Sequence, residues 1–265
     1  MSYKNIITKT NGRIFTLTIN RPEVMNALNP ETHAEMSAAF DEFETNDELW
    51  VAIITGAGEQ AFCAGGDISV MVDAKTEDDY KVPDTGYGGL TNRHSCDKPI
   101  IAAVNGFAMG GGFEIALACD LIVAADSASF GLPEPKIGTA AVAGGMHRLI
   151  RDIGLKPAME ILLTAKPIDA ETASKLGIVN AVVPATDVMA TAEKYANDIL
   201  KCAPIAVQAT KHCALQGLNC GSIQQAQEAQ HRGDFKILDT MLKSEDVQEG
   251  LQAFMQKRKP AWQGK

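Results

Sequence analysis

Two carboxylates and a set of glycines are the residues in this chain whose types and spacing could do chemistry. Gly110, Gly111 and Gly112 open a predicted helix, Glu114 follows within its first turn, and Glu134 lies between Pro133 and Pro135. Glycine at a helix entrance lets another group approach the backbone closely, and the first-turn N–H groups have no intrahelical partners. Helped by the helix dipole, they form a corner suited to negative charge. Gly111 and Glu114 are three residues apart and share a helix face, so a donor and a carboxylate point toward the same space. Phe113, Ile115, Ala116 and Leu117 surround Glu114 in sequence. Apolar surroundings disfavour the ionised carboxyl and raise its pKa toward a range useful for proton transfer. The alternative is a first-turn glutamate that only complements the dipole.

The prolines around Glu134 stiffen its backbone, which suits a positioned group; a solvated loop glutamate is the alternative. Gly66, just ahead of Asp67-Ile68 where a helix can begin, offers a second exposed N–H. An oxyanion hole needs two such donors on one oxygen. The chain has no G-x-S-x-G, no H-E-x-x-H and no G-x-x-x-x-G-K-[ST]. Its histidines (33, 94, 147, 212, 231) lack metal-ligand spacing and read as surface or helix residues. Paired carboxylates with backbone donors therefore point to proton transfer beside a stabilised oxyanion, with no metal site.

These groups need a scaffold. Residues 100–104, 121–125 and 50–54 are apolar runs that read as buried strands. Asn11-Gly12 between 6–10 and 13–19 signals a hairpin, with Phe15, Leu17 and Ile19 alternating with threonines. Asn29-Pro30-Glu31 caps a helix in which Met36, Phe40 and Phe43 recur at helical spacing. Gly56, Gly58 and Ala61 match G-x-G-x-x-A, a dinucleotide fingerprint, but another glycine turn follows where a helix should open, so no nicotinamide or flavin site is expected. Residues 73–92 are acidic and then glycine-rich; a mobile loop over a binding site and a disordered excursion both fit. Helices are expected over 146–155 and 169–177, with a strand over 178–183. From about Asp187 the pattern is helical only, with Ser222-x-x-Gln225 as a capping box and Ser244 capping the last helix.

At 265 residues the chain can bury a sizeable core. A net charge of −9 and a pI near 5.1 give no basic field to collect phosphates, so nucleic acid is not expected as a partner. No apolar run reaches membrane-spanning length, and the first residues lack the apolar core of a signal peptide. The six cysteines (63, 96, 119, 202, 213, 220) form no C-x-x-C pair and read as free thiols in the cytoplasm.

Several motifs occur in a fixed order: Arg21-Pro22 with Asn26-Ala27-Leu28, Phe62 to Ile68, Pro99 to Gly106, Gly110 to Asp120, Phe130 to Glu134, and Phe254-x-x-Lys257-Arg258-Lys259-Pro260. With them the chain resembles the enoyl-CoA hydratase/isomerase (crotonase) family along essentially its whole length. The resemblance implies an α/β fold, a spiral of repeated ββα units over 1–186, followed by a helical region over 187–265 used in trimer contacts. It implies a homotrimer or a hexamer made of two trimers, and an acyl-CoA substrate that brings its own coenzyme A, with no further cofactor. Gly66 and Gly111 match the family's oxyanion-hole positions, and Glu114 and Glu134 its two catalytic glutamates. A water would lie between the carboxyls, with Glu114 as base on the water and Glu134 supplying the α-proton.

Ala27, Ala64, Gly65, Asp67 and Ile68 would contact coenzyme A, with Phe254 and Lys257 from the tail. Lys257 fits a phosphate partner or a solvated helix end equally well. The implied activity is enoyl-CoA hydration, with carnitinyl-CoA dehydration as the alternative. Isomerase, thioester hydrolase and non-catalytic acyl-CoA binder follow. Gly86–Gly89 and 139–145 differ from many hydratases where the acyl group should sit, so the acyl group stays open.

Overall fold

A computed structural model describes residues 3–73 and 75–265, with Glu77 and Asp78 described by their backbone only. Met1 and Ser2, in the stretch read for a signal peptide, and Ala74, in the predicted loop, lie outside it. The chain divides into two compact units: residues 1–94 with 100–196, and 95–99 with 197–265.

In the first unit β1 (Ile6–Asn11) and β2 (Ile14–Ile19) form the hairpin. Asn11 pairs with Ile14, so the two-residue turn is Gly12-Arg13, with Gly12 at φ 56°. Asn11 thus belongs to the strand, one residue away from its expected place in the turn. α1 (Pro30–Thr45) follows, with the Asn29 side chain accepting from the Thr32 N–H at 2.8 Å. It buries His33, Met36, Phe40 and Phe43 along one stripe.

Three windings of the chain come next. Each places one strand in a first sheet and the following strand in a second. β3 (Val51–Gly56) and β4 (Ala61–Cys63) lead into α2 (Ile68–Asp73). β5 (Ile100–Val104) and β6 (Phe107–Met109) lead into α3 (Gly111–Ala118). β7 (Leu121–Ala125) and β8 (Ser129–Gly131) lead through a 3₁₀ turn at Glu134–Ile137 into α4 (Gly145–Ile153). β3, β5 and β7 pair in parallel, as do β4, β6 and β8. Each winding stacks on the last as a spiral. β3 and β5 are buried throughout, as parallel strands covered on both faces must be.

α5 (Leu155–Thr164), β9 (Ile168–Asp169), α6 (Ala170–Lys175), β10 (Ala181–Val183) and α7 (Val188–Ile199) continue the chain. The finished sheets order as β1-β2-β3-β5-β7-β10 and β4-β6-β8-β9. The G-x-G-x-x-A segment runs from β3 into β4 and opens no helix. A side chain at Gly56 would meet the Ala61 and Phe62 carbonyls at 2.4 Å, so this glycine serves a tight strand connection.

The second unit is helical, with α8 (Pro204–Gly217), α9 (Ile223–His231), α10 (Lys236–Lys243) and α11 (Glu245–Met255). Ser222 caps α9 through the Gln225 N–H at 3.2 Å. Ser244 holds the N-cap position of α11, but its hydroxyl donates back to the Met241 carbonyl at 2.8 Å. The Lys265 carbonyl accepts from the Glu245 N–H at 2.7 Å in its place.

One contact fixes how closely the windings stack. A Cβ at Gly112, inside α3, would lie 2.0 Å from the Cys63 carbonyl oxygen of β4. Helix propensity alone favours alanine over glycine by about 1 kcal/mol. The backbone clash outweighs it, so Gly112→Ala is expected to cost about 3 kcal/mol. A denaturant midpoint equal to or above that of the parent protein would contradict this packing.

Candidate active site

The first unit brings two glycine turns into backbone contact. Leu28 donates to the Gly65 carbonyl (2.8 Å) and accepts from the Asp67 N–H (2.9 Å), a parallel bridge centred on Gly66. Alternation along that short extended segment turns the Gly66 N–H away from Leu28, and it has no partner among the described residues. Gly65 has φ +95°, and a Cβ on it would lie 2.9 Å from the Met109 carbonyl and 3.3 Å from the Gly111 nitrogen. The turn therefore sits flush against the entrance of α3, where Gly110 (φ 54°) precedes Gly111. Gly111 is the first helical residue, so its N–H has no intrahelical acceptor.

An ion pair holds this corner. Arg21 bonds Asp67 at 2.9 Å and also reaches the Ala27 carbonyl, while Ser69 donates to Asp67 at 2.6 Å. The Ser69 hydroxyl and the Arg21 guanidinium keep the Asp67 carboxyl below its ordinary pKa. Of the residues expected to touch coenzyme A, Ala27, Ala64, Gly65 and Asp67 line this corner and Ile68 is 59% exposed beside it. Phe254 (83% exposed) and Lys257 belong to the second unit.

Both carboxyls lie in the first unit. Glu114 is buried on α3, and its Oε1 accepts from the Gly145 N–H at 2.8 Å. Burial pushes its pKa up to about 7, and the charge of Glu134 adds to this. The N–H groups of Gly145 and Ala143 and the Arg148 guanidinium pull the other way. Glu134 begins the 3₁₀ turn after β8, and burial raises its carboxyl as well. Its Oε1 lies 3.1 Å from where a Gly110 Cβ would be, and its Oε2 is buried without a partner among the described residues. With its carboxyl raised to about 7, Glu114 holds a proton close to neutrality.

The glycine-rich part of residues 73–92 forms a hydrogen-bonded turn. Gly86, Gly88 and Gly89 all have positive φ. A side chain on Gly89 would collide with the Ser37 backbone at 2.4 Å. The Gly88 N–H donates to His33 Nδ1 at 3.0 Å, and the Tyr87 N–H to Thr91 Oγ1 at 2.8 Å. The turn brings Tyr87 and Tyr80 to the glycine corner. A Cβ on Gly66 would lie 2.8 Å from the Tyr87 hydroxyl and 2.9 Å from that of Tyr80.

Comparison with known proteins bears on this geometry directly. The model of the family described as enoyl-CoA hydratase/isomerase matches residues 9–265. The chain belongs to this family. It is 38% identical over 260 residues to the short-chain-enoyl-CoA hydratase of Clostridium acetobutylicum, covering 98% of this chain and 97% of the relative. It is 40% identical over 255 residues to the carnitinyl-CoA dehydratase of Escherichia coli, covering 96% and 97%. Among solved structures, enoyl-CoA hydratase from Mycobacterium tuberculosis H37Rv superimposes with a TM-score of 0.90 at 36% identity over 98% and 99% of the two chains. A probable enoyl-CoA hydratase/isomerase from Mycobacterium abscessus gives 0.89 at 40% identity, over the same shares. The spiral of ββα windings expected from the family resemblance is the fold found.

For a member of this family, several residues near the carboxyls escaped sequence reasoning. His33 is fully buried on α1, where the expectation was a surface or helix position. Its spacing to Met36, Phe40 and Phe43 is the signal that places it on the apolar stripe. Burial lowers its pKa to about 4, so it is neutral at pH 7. Gly145 and Tyr87 carry no such signal, because their roles arise from long-range contacts. Among the described residues no cluster of His, Cys, Asp and Glu could hold a metal ion, and no helix is long and apolar enough to cross a membrane.

The raised Glu114 carboxyl has a stability consequence. Between the ordinary value of 4.5 and about 7 the folded chain keeps a proton that the unfolded chain releases, so stability falls as pH rises through that window. Glu114→Gln should therefore unfold at higher denaturant than the parent at pH 8, by about 3 kcal/mol, with the gap closing toward pH 4. Equal stability at both pH values would remove the buried-carboxyl argument.

Proposed function

We propose that the protein is an enoyl-CoA hydratase that adds water across the 2,3 double bond of an enoyl-CoA thioester. The observation that carries this reading is a buried Glu114 and a half-buried Glu134, each near the glycine corner with its two uncommitted backbone donors. The Gly66 and Gly111 N–H groups donate to the thioester oxygen as it gains negative charge, an effect worth several kcal/mol. Glu114, as carboxylate, takes a proton from water while the water oxygen bonds to the β-carbon. Glu134, as acid, gives its proton to the α-carbon as the enolate collapses. Water is consumed, and the proton on the pair changes sides. The same groups run the dehydration in reverse. Ala27, Ala64, Gly65, Asp67 and Ile68, with Phe254 and Lys257, are the proposed coenzyme A contacts. The Asp67 carboxylate is engaged by Arg21 and Ser69, so it acts by holding the corner.

An apolar cavity of about 270 Å³, which neither glutamate lines, is the proposed place of the acyl group. Leu132 and Pro135, on either side of Glu134, line it with Ala141, Met146, Ile150 and Met159. A 150 Å³ cavity holds a benzene ring, so this larger one has room for an acyl chain longer than crotonyl. Its lining has no aromatic ring or carboxylate to receive a quaternary ammonium. The cavity therefore favours an apolar enoyl chain over the trimethylammonium-bearing carnitinyl substrate, although relatives bearing the dehydratase name are equally similar.

Six free cysteines support a cytoplasmic setting. The second unit exposes Ile223, Leu242, Leu251, Phe254 and Met255, which supports a homotrimer or a dimer of trimers that covers them. Light scattering of a purified sample should give three or six times the chain mass, and a monomer would overturn the assembly.

The activity is tested by loss of enoyl-thioester absorbance with crotonyl-, octenoyl- and crotonobetainyl-CoA. Octenoyl-CoA should have the lowest KM and crotonobetainyl-CoA should react slowest. Glu114→Gln and Glu134→Gln should each lower kcat by about 10²–10⁴. No absorbance loss with any substrate, or full activity in either variant, would sink the hydratase reading.

A further inference from the structure

We propose that the Tyr87 hydroxyl is a third donor to the substrate's thioester oxygen, beside the Gly66 and Gly111 N–H groups; this rests on the acyl-CoA reading above. Tyr80 Oη lies 2.6 Å from the Leu28 carbonyl oxygen, which can only accept, so the single Tyr80 hydroxyl hydrogen is committed there. The two phenol oxygens are 3.3 Å apart. In that pair Tyr87 must donate, and 3.3 Å is long for an O–H···O bond, whose usual range ends near 3.0 Å. Tyr87 thus carries a hydroxyl hydrogen that is only loosely held.

The ring spans the corner. Positions for a Cβ on Gly111 lie 2.2–2.7 Å from Tyr87 Cε1, Cδ1 and Cζ, and that on Gly66 lies 2.8 Å from its hydroxyl. Neither glycine has a positive φ. With negative φ the N–H and Cα–Cβ bonds project to one side of the backbone, so whatever stands at the missing Cβ borders the place of the N–H acceptor. Replacing either glycine would drive a side chain into this phenol. Room for Tyr87 is a reason for both.

The chain also constrains how the phenol is presented. Three consecutive-range glycines in left-handed conformations lose much backbone freedom on folding. The hydrogen bonds between the Ser37 and Thr85 hydroxyls (2.8 Å) and from the Gly88 N–H to His33 fix the turn to α1, and the Asn92 N–H closes it by donating to the Thr85 carbonyl (2.9 Å). The His33 ring stands edge-on to Tyr87 at 4.3 Å between centroids and 78° between planes. Burial keeps the phenol neutral, so it acts as a donor throughout the physiological range. His33, neutral as well, positions the ring and transfers no proton. A pre-set donor that needs no reorganisation is the kind that stabilises a developing oxyanion.

The test uses Tyr87→Phe, which keeps the ring, and Tyr80→Phe, which deletes the neighbouring hydroxyl. The readouts are crotonyl-CoA kinetics and the red shift of bound 4-(dimethylamino)cinnamoyl-CoA, which reports carbonyl polarisation. Tyr87→Phe should lower kcat about 10- to 100-fold with KM nearly unchanged, and shrink the red shift; Tyr80→Phe should retain most of both. Wild-type kcat and shift in Tyr87→Phe would overturn the proposal. So would equal losses in the two variants, or an altered acyl-chain ranking with an unchanged shift. If the parent protein hydrates nothing yet its probe shift exceeds that of Tyr87→Phe, the donor stands and the hydratase reading fails.

Discussion

The site depends on one steric constraint: two stretches of backbone meet where no side chain can stand between them. Gly112 rests on the Cys63 carbonyl, and Gly65 faces Met109 and the Gly111 nitrogen. These contacts set the spacing of successive windings. They also place the free N–H of a strand-like turn next to the free N–H of a helix start. Parallel strands in the two sheets repeat the approach once per winding, so the corner is built by the same geometry that builds the core.

Against this rigid frame the carboxyls are held at an energetic cost. Glu114 gives up solvation and recovers part of it from two backbone N–H groups at the start of α4. Glu134 has one buried oxygen with no partner among the described residues. Buried polar atoms without partners are uncommon, and an unpaired carboxyl oxygen beside a raised carboxyl is the arrangement expected where a water and a proton are handled. Stability is lower here so that proton affinity can lie near neutral pH.

Much of this was legible beforehand. Gly111, Glu114, the strand at 100–104 and the cap at Asn29 follow from local spacing, and local spacing survives folding. The turn at 85–92 did not yield to the same reasoning. Its composition reads as loose chain, whereas the glycines serve left-handed conformations and contact with Ser37, which only the partner element reveals. His33 reads as a surface or helix residue from its lack of metal-ligand spacing, and its burial follows only from its place on the apolar stripe of α1. Ser244 has the right type at the right place and still spends its hydroxyl on the preceding helix, because the Lys265 carbonyl has taken the cap. Long-range donors such as the Gly145 N–H have no local signature.

The start of α4 joins two roles in successive residues. Gly145 holds Glu114, and Met146 forms wall in the apolar cavity. A chain that fills the cavity presses on the same helical turn that feeds a hydrogen bond to the carboxyl. On the proposed reading, tail length and basicity would be mechanically linked: a substrate's far end, remote from the reacting carbons, would reach the proton-transfer step through a single peptide unit.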